Sequence, residues 1–186
     1  MKIILFSKSP RRQELLKLMG LDFSIMTKDV DESFPSSLSP DKVAQYIAEK
    51  KAHAFDGEIQ EEVLITADTI VAIDGEILGK PIDEADARKM LEKLSGRTHQ
   101  VYTGVAISYK QNITSFVDKT DVEFRNISSE EIDFYISEYK PYDKAGAYGI
   151  QEWIGLTCVH SLNGSYTNVM GLPTEKLYTQ LAKLNK

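Results

Sequence analysis

The stretch VLITADTIVAIDGEILGKP, residues 63–81, sets the fold class. Its first part is rich in β-branched and apolar side chains, which predicts a strand over Val63–Ile73, and Asp74–Gly75 is a typical hairpin turn. Patterns of strands and helices intermix on both sides of it. We therefore expect an α/β protein with a mixed, twisted sheet flanked by helices.

Capping residues and apolar periodicity predict the other elements. Helices are predicted over Ser9–Met19, Ser39–Gly57, Asp83–Leu94, Ser128–Tyr139 and after Pro173. Strands are predicted over Lys2–Phe6, Leu21–Met26, Thr98–Tyr109, Ser115–Phe124 and Leu156–Ser161. The glycine-punctuated segment YDKAGAYGIQEW is predicted to be irregular.

Composition excludes several classes of protein. The 186 residues fit one domain over residues 1–186, and no apolar run is long enough to span a membrane. The start, MKIILFSKS, is unlike a secretory signal, and the single cysteine excludes an intramolecular disulfide, so we expect a cytoplasmic protein. A net charge of −6 argues against broad nucleic-acid binding, although a small anion can still bind where basic residues converge.

Two charged residues interrupt apolar patterns. Asp68 lies in the middle of the predicted strand, and a buried carboxylate is costly unless it is paired, hydrogen-bonded or bound to a cation. Lys51 falls near the centre of the apolar face of its helix rather than at the edge, where a snorkelling lysine is usual. Structural roles are the alternatives, but both patterns favour a functional site.

The turn SKSPRR joins the first strand to the first helix. A helix N-terminus presents free N–H groups and a positive dipole end, which suits phosphate. Ser7 and Ser9 add hydroxyl groups, and Arg11 and Arg12 add positive charge. The alternative is a well-capped helix on the protein surface. The position of the turn directly after a strand favours the anion site.

Three further residues belong to the same hypothesis. Lys80 follows the predicted hairpin and returns toward the strand of Asp68, while Asp31 and Glu32 offer carboxylates for a divalent ion. For this acidic pair, a solvated loop is an equal alternative. Several cations, a few carboxylates and no cysteine or histidine nucleophile suit metal-assisted attack of water on a phosphate anhydride.

The sequence resembles the Maf nucleotide pyrophosphatases. The likeness runs in order over nearly the whole chain, in SKSPRRQELL, DVDE, IAEKKA, ADTIV with GEILGKP, LSGRTHQVYTGVA, DKAGAYGIQ and GSYTNVMGLP. It implies a fold similar to inosine triphosphate pyrophosphatase, with a deep cleft, and a homodimer. It also implies hydrolysis of a nucleoside triphosphate to the monophosphate and pyrophosphate with a divalent cation, Mg²⁺ or Mn²⁺.

The resemblance also implies roles for individual residues. Asp68 corresponds to the catalytic carboxylate that accepts a proton, and Asp68 and Glu32 to metal ligands; whether Asp68 is chiefly base or ligand stays open. The residues that would grip the triphosphate are Ser7, Arg12, Lys51 and Lys80.

Three positions are similar to the branch of the family that acts on dTTP and UTP rather than on 7-methyl-GTP: Arg11, Thr69 and Gln151. A glutamine amide donates to and accepts from a pyrimidine edge, whereas a positively charged 7-methylguanine would favour a carboxylate. Modified pyrimidine nucleotides remain alternative substrates. A rival of another class is a nucleotide-binding regulator of septum formation and cell-division arrest with little turnover.

Three other residues attract attention. Trp153 either stacks on a base or packs within its loop. Cys158 is expected to be a small core residue, and His99 a structural one.

Overall fold

The protein is described by a computed structural model that covers residues 2–59 and 61–184. Four residues lie outside the described ranges: Met1, Gln60, Asn185 and Lys186. The domain expected over residues 1–186 includes them. The strands are β1 Ile3–Phe6, β2 Phe23–Met26, β3 Val63–Ile73, β4 Glu76–Leu78, β5 Thr98–Tyr109, β6 Asn112–Phe124 and β7 Val159–Asn163. The helices are α1 Pro10–Leu18, α2 Pro40–His53, α3 Glu84–Leu94, α4 Ser129–Tyr139, α5 Trp153–Cys158, α6 Tyr166–Met170 and α7 Thr174–Lys183, with a 3₁₀ turn at Ala145–Ala147.

The strands form one mixed sheet in the order β2-β1-β3-β5-β6-β7, with β4 added to β3. β1 pairs in parallel with β2 and β3, and the remaining pairs are antiparallel. The mixed sheet flanked by helices is therefore confirmed. No helix within residues 2–59 and 61–184 has the length and apolar character that crossing a membrane requires.

One edge of β3 is shared by two strands that do not meet. β1 pairs with β3 only as far as Thr66, and β4 begins to pair at Val71. β5 covers the opposite edge without interruption from Leu64 to Ala72. Among the described residues, residues 67–70 thus have a strand on one side only. This gap, which includes Asp68, opens near the middle of the sheet.

The two faces of the sheet support separate cores because strand side chains alternate. Ile3 and Leu5 of β1 pack with Leu16 of α1 and Leu177 of α7 on one face. Ile4 and Phe6 face the other way, toward Phe55, which follows α2. A third core lies under α3 and α4 and includes Leu91, Ile132 and Phe124. Helices therefore cover both faces, as the sequence predicted.

α2 approaches the sheet closely at Gly104. A Cβ atom at this position would lie 2.2 Å from the carbonyl oxygen of Ala44, which is a backbone atom of α2. Gly104 pairs with Asp68 across β5 and β3, and directly opposed residues of an antiparallel pair point to the same face. The missing side chain therefore lets α2 lie close to the sheet beside Asp68.

The structure corrects the prediction of a strand over Leu156–Ser161. Residues up to Cys158 belong to α5, and the strand is Val159–Asn163. The physical reason is that Ile154 and Cys158, four residues apart, are both buried while Leu156 is exposed, which is a helical spacing. The short helix α6 was not predicted; Ser165 caps it by accepting from the N–H of Asn168.

The other predicted elements are present with small shifts at their ends. Ser9 caps α1 and Pro10 follows it, as expected. α2 ends at His53 rather than at Gly57, and β6 begins at Asn112 rather than at Ser115.

His99 is a structural residue, as expected. It is fully buried between the rings of Phe124 and Tyr148, and its Nε2 lies 2.7 Å from the Tyr148 hydroxyl oxygen. Burial lowers the pKa of His99 to about 4. The imidazole is therefore neutral in the folded protein near neutral pH.

We predict that Gly104→Ala destabilises the protein because the added methyl group meets backbone that cannot turn aside. The expected loss is about 1–3 kcal/mol in the free energy of unfolding, measured by urea denaturation. Gly79→Ala is the matched control, since a Cβ there has nothing within 4 Å. Equal stability of the two variants would contradict the close approach of α2.

We also predict that His99 makes the stability depend on pH. The ordinary pKa is 6.5 and the folded value about 4, so between these values the unfolded chain binds a proton that the folded protein does not. The contribution is complete above pH 6.5 and is lost as the pH falls toward 4. It amounts to about 3 kcal/mol.

Urea denaturation from about pH 7 to about pH 4.5 measures this contribution. His99→Gln should flatten the fall in stability, whereas His160→Gln, at an exposed position, should leave it as in the wild type. Parallel curves for the wild type and His99→Gln would show the prediction to be wrong.

Candidate active site

A cavity of about 760 Å³ opens at the gap in β3. Its walls come from the turn before α1, from α2, from β3, from the segment after β4 and from the segment around residues 143–151. Among the described residues, seven basic and four acidic side chains line it. They are Lys8, Arg11, Arg12, Lys28, Lys51, Lys80 and Lys144, and Asp29, Glu32, Asp68 and Asp143. A chain with a net charge of −6 thus concentrates positive charge at one place, which suits an anionic ligand.

The ammonium group of Lys51, which lines the cavity, lies between two carboxylates. Its Nζ is 2.8 Å from Asp68 Oδ1 and 2.8 Å from Glu32 Oε1. The Lys51 and Asp68 side chains are only 11% and 14% exposed, whereas Glu32 is half exposed. The two residues that interrupt the apolar patterns of α2 and β3 are therefore partners of each other.

Asp31 and Glu32, which the sequence treats as a pair, point to different places. Asp31 binds Lys50 and Ser33 on the surface, and the hydrogen bond from Lys50 is the main reason why its pKa is lowered. Glu32 faces the cavity. Its burial opposes ionisation, but the hydrogen bond and charge of Lys51 outweigh it and lower the pKa of the Glu32 carboxyl.

The carboxylates of Asp68 and Glu32 fit a divalent cation. They are hard oxygen ligands that already share one cationic partner, Lys51. The described part of the chain places no group of three or more His, Cys, Asp or Glu side chains together. This arrangement suits Mg²⁺ or Mn²⁺, since Mg²⁺ commonly takes one or two carboxylates and completes its shell with water and substrate phosphates.

Arg12 is held firmly at the edge of the gap. Its Nε donates to the carbonyl oxygen of Gly171 at 2.7 Å, and its Nη2 donates to Thr69 Oγ1 at 2.9 Å. Burial lowers the pKa of the guanidinium, while the charge of Asp68 acts in the opposite direction. An arginine fixed by two protein acceptors keeps further N–H groups for a ligand.

The turn before α1 has the polarity expected of an anion site. Ser9 serves as the helix cap, and Ser7 Oγ accepts from the N–H of Ser9 at 3.1 Å. Ser7 is buried and lines the cavity. Within residues 2–59 and 61–184 its hydroxyl hydrogen has no acceptor, so this O–H is available to a ligand. Lys80 lines the cavity too, as expected from its place after β4.

The predicted specificity residues line the same cavity. Arg11 Nη1 is 3.9 Å from Asp143 Oδ2, and Thr69 follows Asp68 on β3. Gln151 Oε1 is buried and has no hydrogen-bond partner among the described residues. A buried acceptor without a partner is costly, which is why it favours a ligand that donates at this point.

Sequence reasoning missed Lys144. Its side chain is 8% exposed, and its Nζ is 2.7 Å from Asp143 Oδ1 and 3.2 Å from Glu152 Oε1. Glu152 in turn accepts from the Tyr135 hydroxyl group, whose oxygen accepts from the N–H of Gly149 at 3.0 Å. The one sequence signal was a lysine within a glycine-punctuated segment. This network fixes the segment that carries Gln151.

The remaining sequence expectations concern two other side chains. Trp153 packs edge-to-face on Phe134, with 5.0 Å between the ring centroids, and it does not line the cavity. This favours the packing alternative. Cys158 is a buried core residue, and burial raises the pKa of its thiol, so it is unsuited to act as a nucleophile.

Solved structures with low sequence identity share the fold. A HAM1 protein from Coxiella burnetii matches 98% of this chain and 99% of its own with a TM-score of 0.55 at 16% identity. The Ham1 protein of Staphylococcus aureus matches 67% of this chain and 72% of its own with a TM-score of 0.51 at 18% identity. The expected likeness to the inosine triphosphate pyrophosphatase fold is thereby confirmed.

Sequence comparison identifies the family. A protein named dTTP/UTP pyrophosphatase from Phocaeicola vulgatus is 52% identical over 185 residues, which cover 98% of this chain and 96% of the relative. One of the same name from Flavobacterium psychrophilum is 51% identical over 181 residues, with 97% and 93% covered. The family model described as Maf-like protein matches residues 2–184. The chain therefore belongs to the Maf-like protein family.

Proposed function

We propose that the protein hydrolyses dTTP and UTP to the nucleoside monophosphate and pyrophosphate. The observation that carries this proposal is the contact of Lys51 with both Asp68 and Glu32 in a cavity lined mainly by basic side chains. In this arrangement, a carboxylate that can accept a proton lies beside a surface that attracts a triphosphate. The relatives named dTTP/UTP pyrophosphatase, which cover almost the whole chain, support the choice of substrate.

The triphosphate lies along the basic wall of the cavity in this proposal. The N-terminus of α1 offers N–H groups with a positive dipole end, and Ser7 adds its free hydroxyl hydrogen. The cationic groups of Arg12, Lys51 and Lys80 neutralise the phosphate oxygens. Because most of these groups are anchored by the fold, nucleotide binding orders few side chains. The rate enhancement then comes mainly from positioning and electrostatics.

Asp68 is the proposed catalytic carboxylate. It orients a water molecule and accepts its proton while the water oxygen forms a bond to the α-phosphorus. The bond from the α-phosphorus to the bridging oxygen breaks, and pyrophosphate leaves with that oxygen. Lys51, 2.8 Å from Asp68, holds the carboxylate oriented before the reaction.

Asp68 and Glu32 would hold the divalent cation, Mg²⁺ or Mn²⁺. When bound, such a cation withdraws negative charge from the phosphate oxygens. Lys51 would then lie among two carboxylates and the phosphates, where its positive charge reduces the repulsion among them.

The base lies against Gln151, Thr69 and Arg11 in the same proposal. The unpartnered Gln151 Oε1 can accept from a pyrimidine N–H, and the amide nitrogen can donate to a carbonyl oxygen. Modified pyrimidines with the same edge would also be accepted. We further propose that residues 1–186 form one domain, that the protein acts in the cytoplasm and that it is a homodimer.

We predict that Asp68→Asn removes turnover without removing binding. The wild type should release pyrophosphate and monophosphate from dTTP and UTP, in preference to CTP, GTP and 7-methyl-GTP, with Mg²⁺ or Mn²⁺. The variant should lower kcat at least about a hundredfold because the amide cannot accept the proton. Asp118→Asn is the matched control: its carboxylate is 13% exposed and pairs with Lys176, away from the cavity.

Two other outcomes would favour different conclusions. Release of orthophosphate, or activity untouched by Asp68→Asn, would remove Asp68 from the mechanism. Binding of nucleotide by the wild type with no turnover of any substrate would favour the regulator of septum formation.

Substitutions at the neighbouring residues Asp31 and Glu32 test whether Glu32 is a metal ligand. We predict that Glu32→Gln raises the Mn²⁺ concentration for half-maximal activity about tenfold, because one anionic oxygen ligand is lost. Asp31→Asn, one residue away but bound to Lys50 outside the cavity, should leave this concentration unchanged. Titration of activity with Mn²⁺ and direct Mn²⁺ binding give the two readouts. Equal effects of both variants would exclude Glu32 as a ligand.

A further inference from the structure

Five residues in and directly behind the wall of the cavity form a closed circuit of hydrogen bonds. Arg12 Nη2 donates to Thr69 Oγ1 at 2.9 Å, and Thr69 Oγ1 is 3.0 Å from Thr103 Oγ1. Thr103 Oγ1 is 2.9 Å from the carbonyl oxygen of Asn168, which also accepts from the N–H of Gly171 at 2.9 Å. The Gly171 carbonyl accepts from Arg12 Nε at 2.7 Å, which closes the circuit.

The number of protons fixes the direction of these bonds. The contacts of Thr103 Oγ1 with Thr69 Oγ1 and with the Asn168 carbonyl oxygen each need one proton between two oxygen atoms. Only two hydroxyl protons are present, because a carbonyl oxygen carries none. Thr103 must therefore donate to Asn168, and Thr69 must donate to Thr103.

This direction leaves Thr69 without a proton for the cavity. A hydroxyl oxygen has two lone pairs, and Arg12 occupies one of those on Thr69 Oγ1. Thr69 lines the cavity, so its remaining lone pair is available there as an acceptor. Thr103 is fully buried behind it and does not line the cavity.

We propose that Thr103 is a positioning residue that fixes the Thr69 hydroxyl group as an acceptor, so that the site selects a pyrimidine with a protonated ring nitrogen. Uracil and thymine nucleotides carry one ring N–H, at position 3, which in this proposal lies between Thr69 Oγ1 and Gln151 Oε1, whereas cytosine has a bare nitrogen there, which is an acceptor. Two facing acceptors repel each other and leave both unpaired. The inference rests on the proposed function for the placement of the base near Thr69.

A purely structural role for Thr103 predicts something different. Its hydroxyl group also ties α6 to β5, so its removal could act by loosening α6. Thr120 separates the two effects because it anchors the same helix without touching Thr69. Thr120 Oγ1 accepts from Asn168 Nδ2 at 2.9 Å and from the N–H of Ser165 at 3.0 Å, and it donates to the Ser165 carbonyl at 3.1 Å.

The experiment compares the reaction products UMP and CMP, whose binding needs no turnover. Dissociation constants are measured by calorimetry for the wild type, Thr103→Val, Thr103→Ser and Thr120→Val. In Thr103→Val the Thr69 proton loses its acceptor and can turn toward the base, so the preference for UMP over CMP should fall about tenfold. Thr103→Ser keeps the hydroxyl group and should restore the preference, and Thr120→Val should retain it. If Thr103→Val does not fold, Thr103→Ala replaces it.

The same variants are then assayed for pyrophosphate release from UTP and CTP, where the ratio of kcat/KM should fall in parallel. An unchanged preference in Thr103→Val, an equal fall in Thr120→Val, or no preference in the wild type would overturn the inference. A preference among monophosphates that depends on Thr103, without hydrolysis of UTP, would support the inference and refute the proposed pyrophosphatase activity.

Discussion

The site depends on the gap in the edge of β3. β1 stops pairing at Thr66 and β4 starts at Val71, while β5 supports the other edge throughout. The strand therefore stays rigid where one of its edges is open. Side chains on both faces of this short stretch can reach the same cavity, although alternate residues of a strand point in opposite directions. Asp68 faces α2 and Thr69 faces α6, and the gap opens the carboxylate and the hydroxyl group to one cavity.

The close approach of α2 supplies the second half of the site. Gly104 lies opposite Asp68 and lets the backbone of α2 approach the sheet, and Lys51, about two turns further along the helix, then reaches Asp68. A buried ion pair adds little stability because desolvation offsets the attraction. The contact of Lys51 with both Asp68 and the half-exposed Glu32 is better explained by function. The ammonium group holds two carboxylates in place beside a cavity that attracts anions.

Local patterns predicted the features that depend on local physics. The β-branched run of β3, the Ser9 cap of α1 and the misplaced charges of Asp68 and Lys51 are visible in short windows of sequence. Contacts between distant segments are not visible in such short windows. Lys144 looks like an ordinary surface lysine until the fold buries it against Glu152, and Thr103 and Asn168, 65 residues apart, give no pattern at all. The strand predicted over Leu156–Ser161 was wrong because the helix α5 is short and follows an irregular segment, so the helical spacing of Ile154 and Cys158 is hard to detect in the sequence.

In the proposed binding mode, the circuit through Arg12 connects the two ends of the nucleotide. A guanidinium group has five N–H donors, and the contacts with Gly171 and Thr69 occupy two of them. The other three remain for phosphate oxygens, so Arg12 can bind the triphosphate without releasing Thr69. The side chain proposed to neutralise the phosphates thus also keeps the proposed acceptor for the base in place. Because both bonds exist before a nucleotide arrives, little reorganisation accompanies binding, and more of the binding energy is available for catalysis.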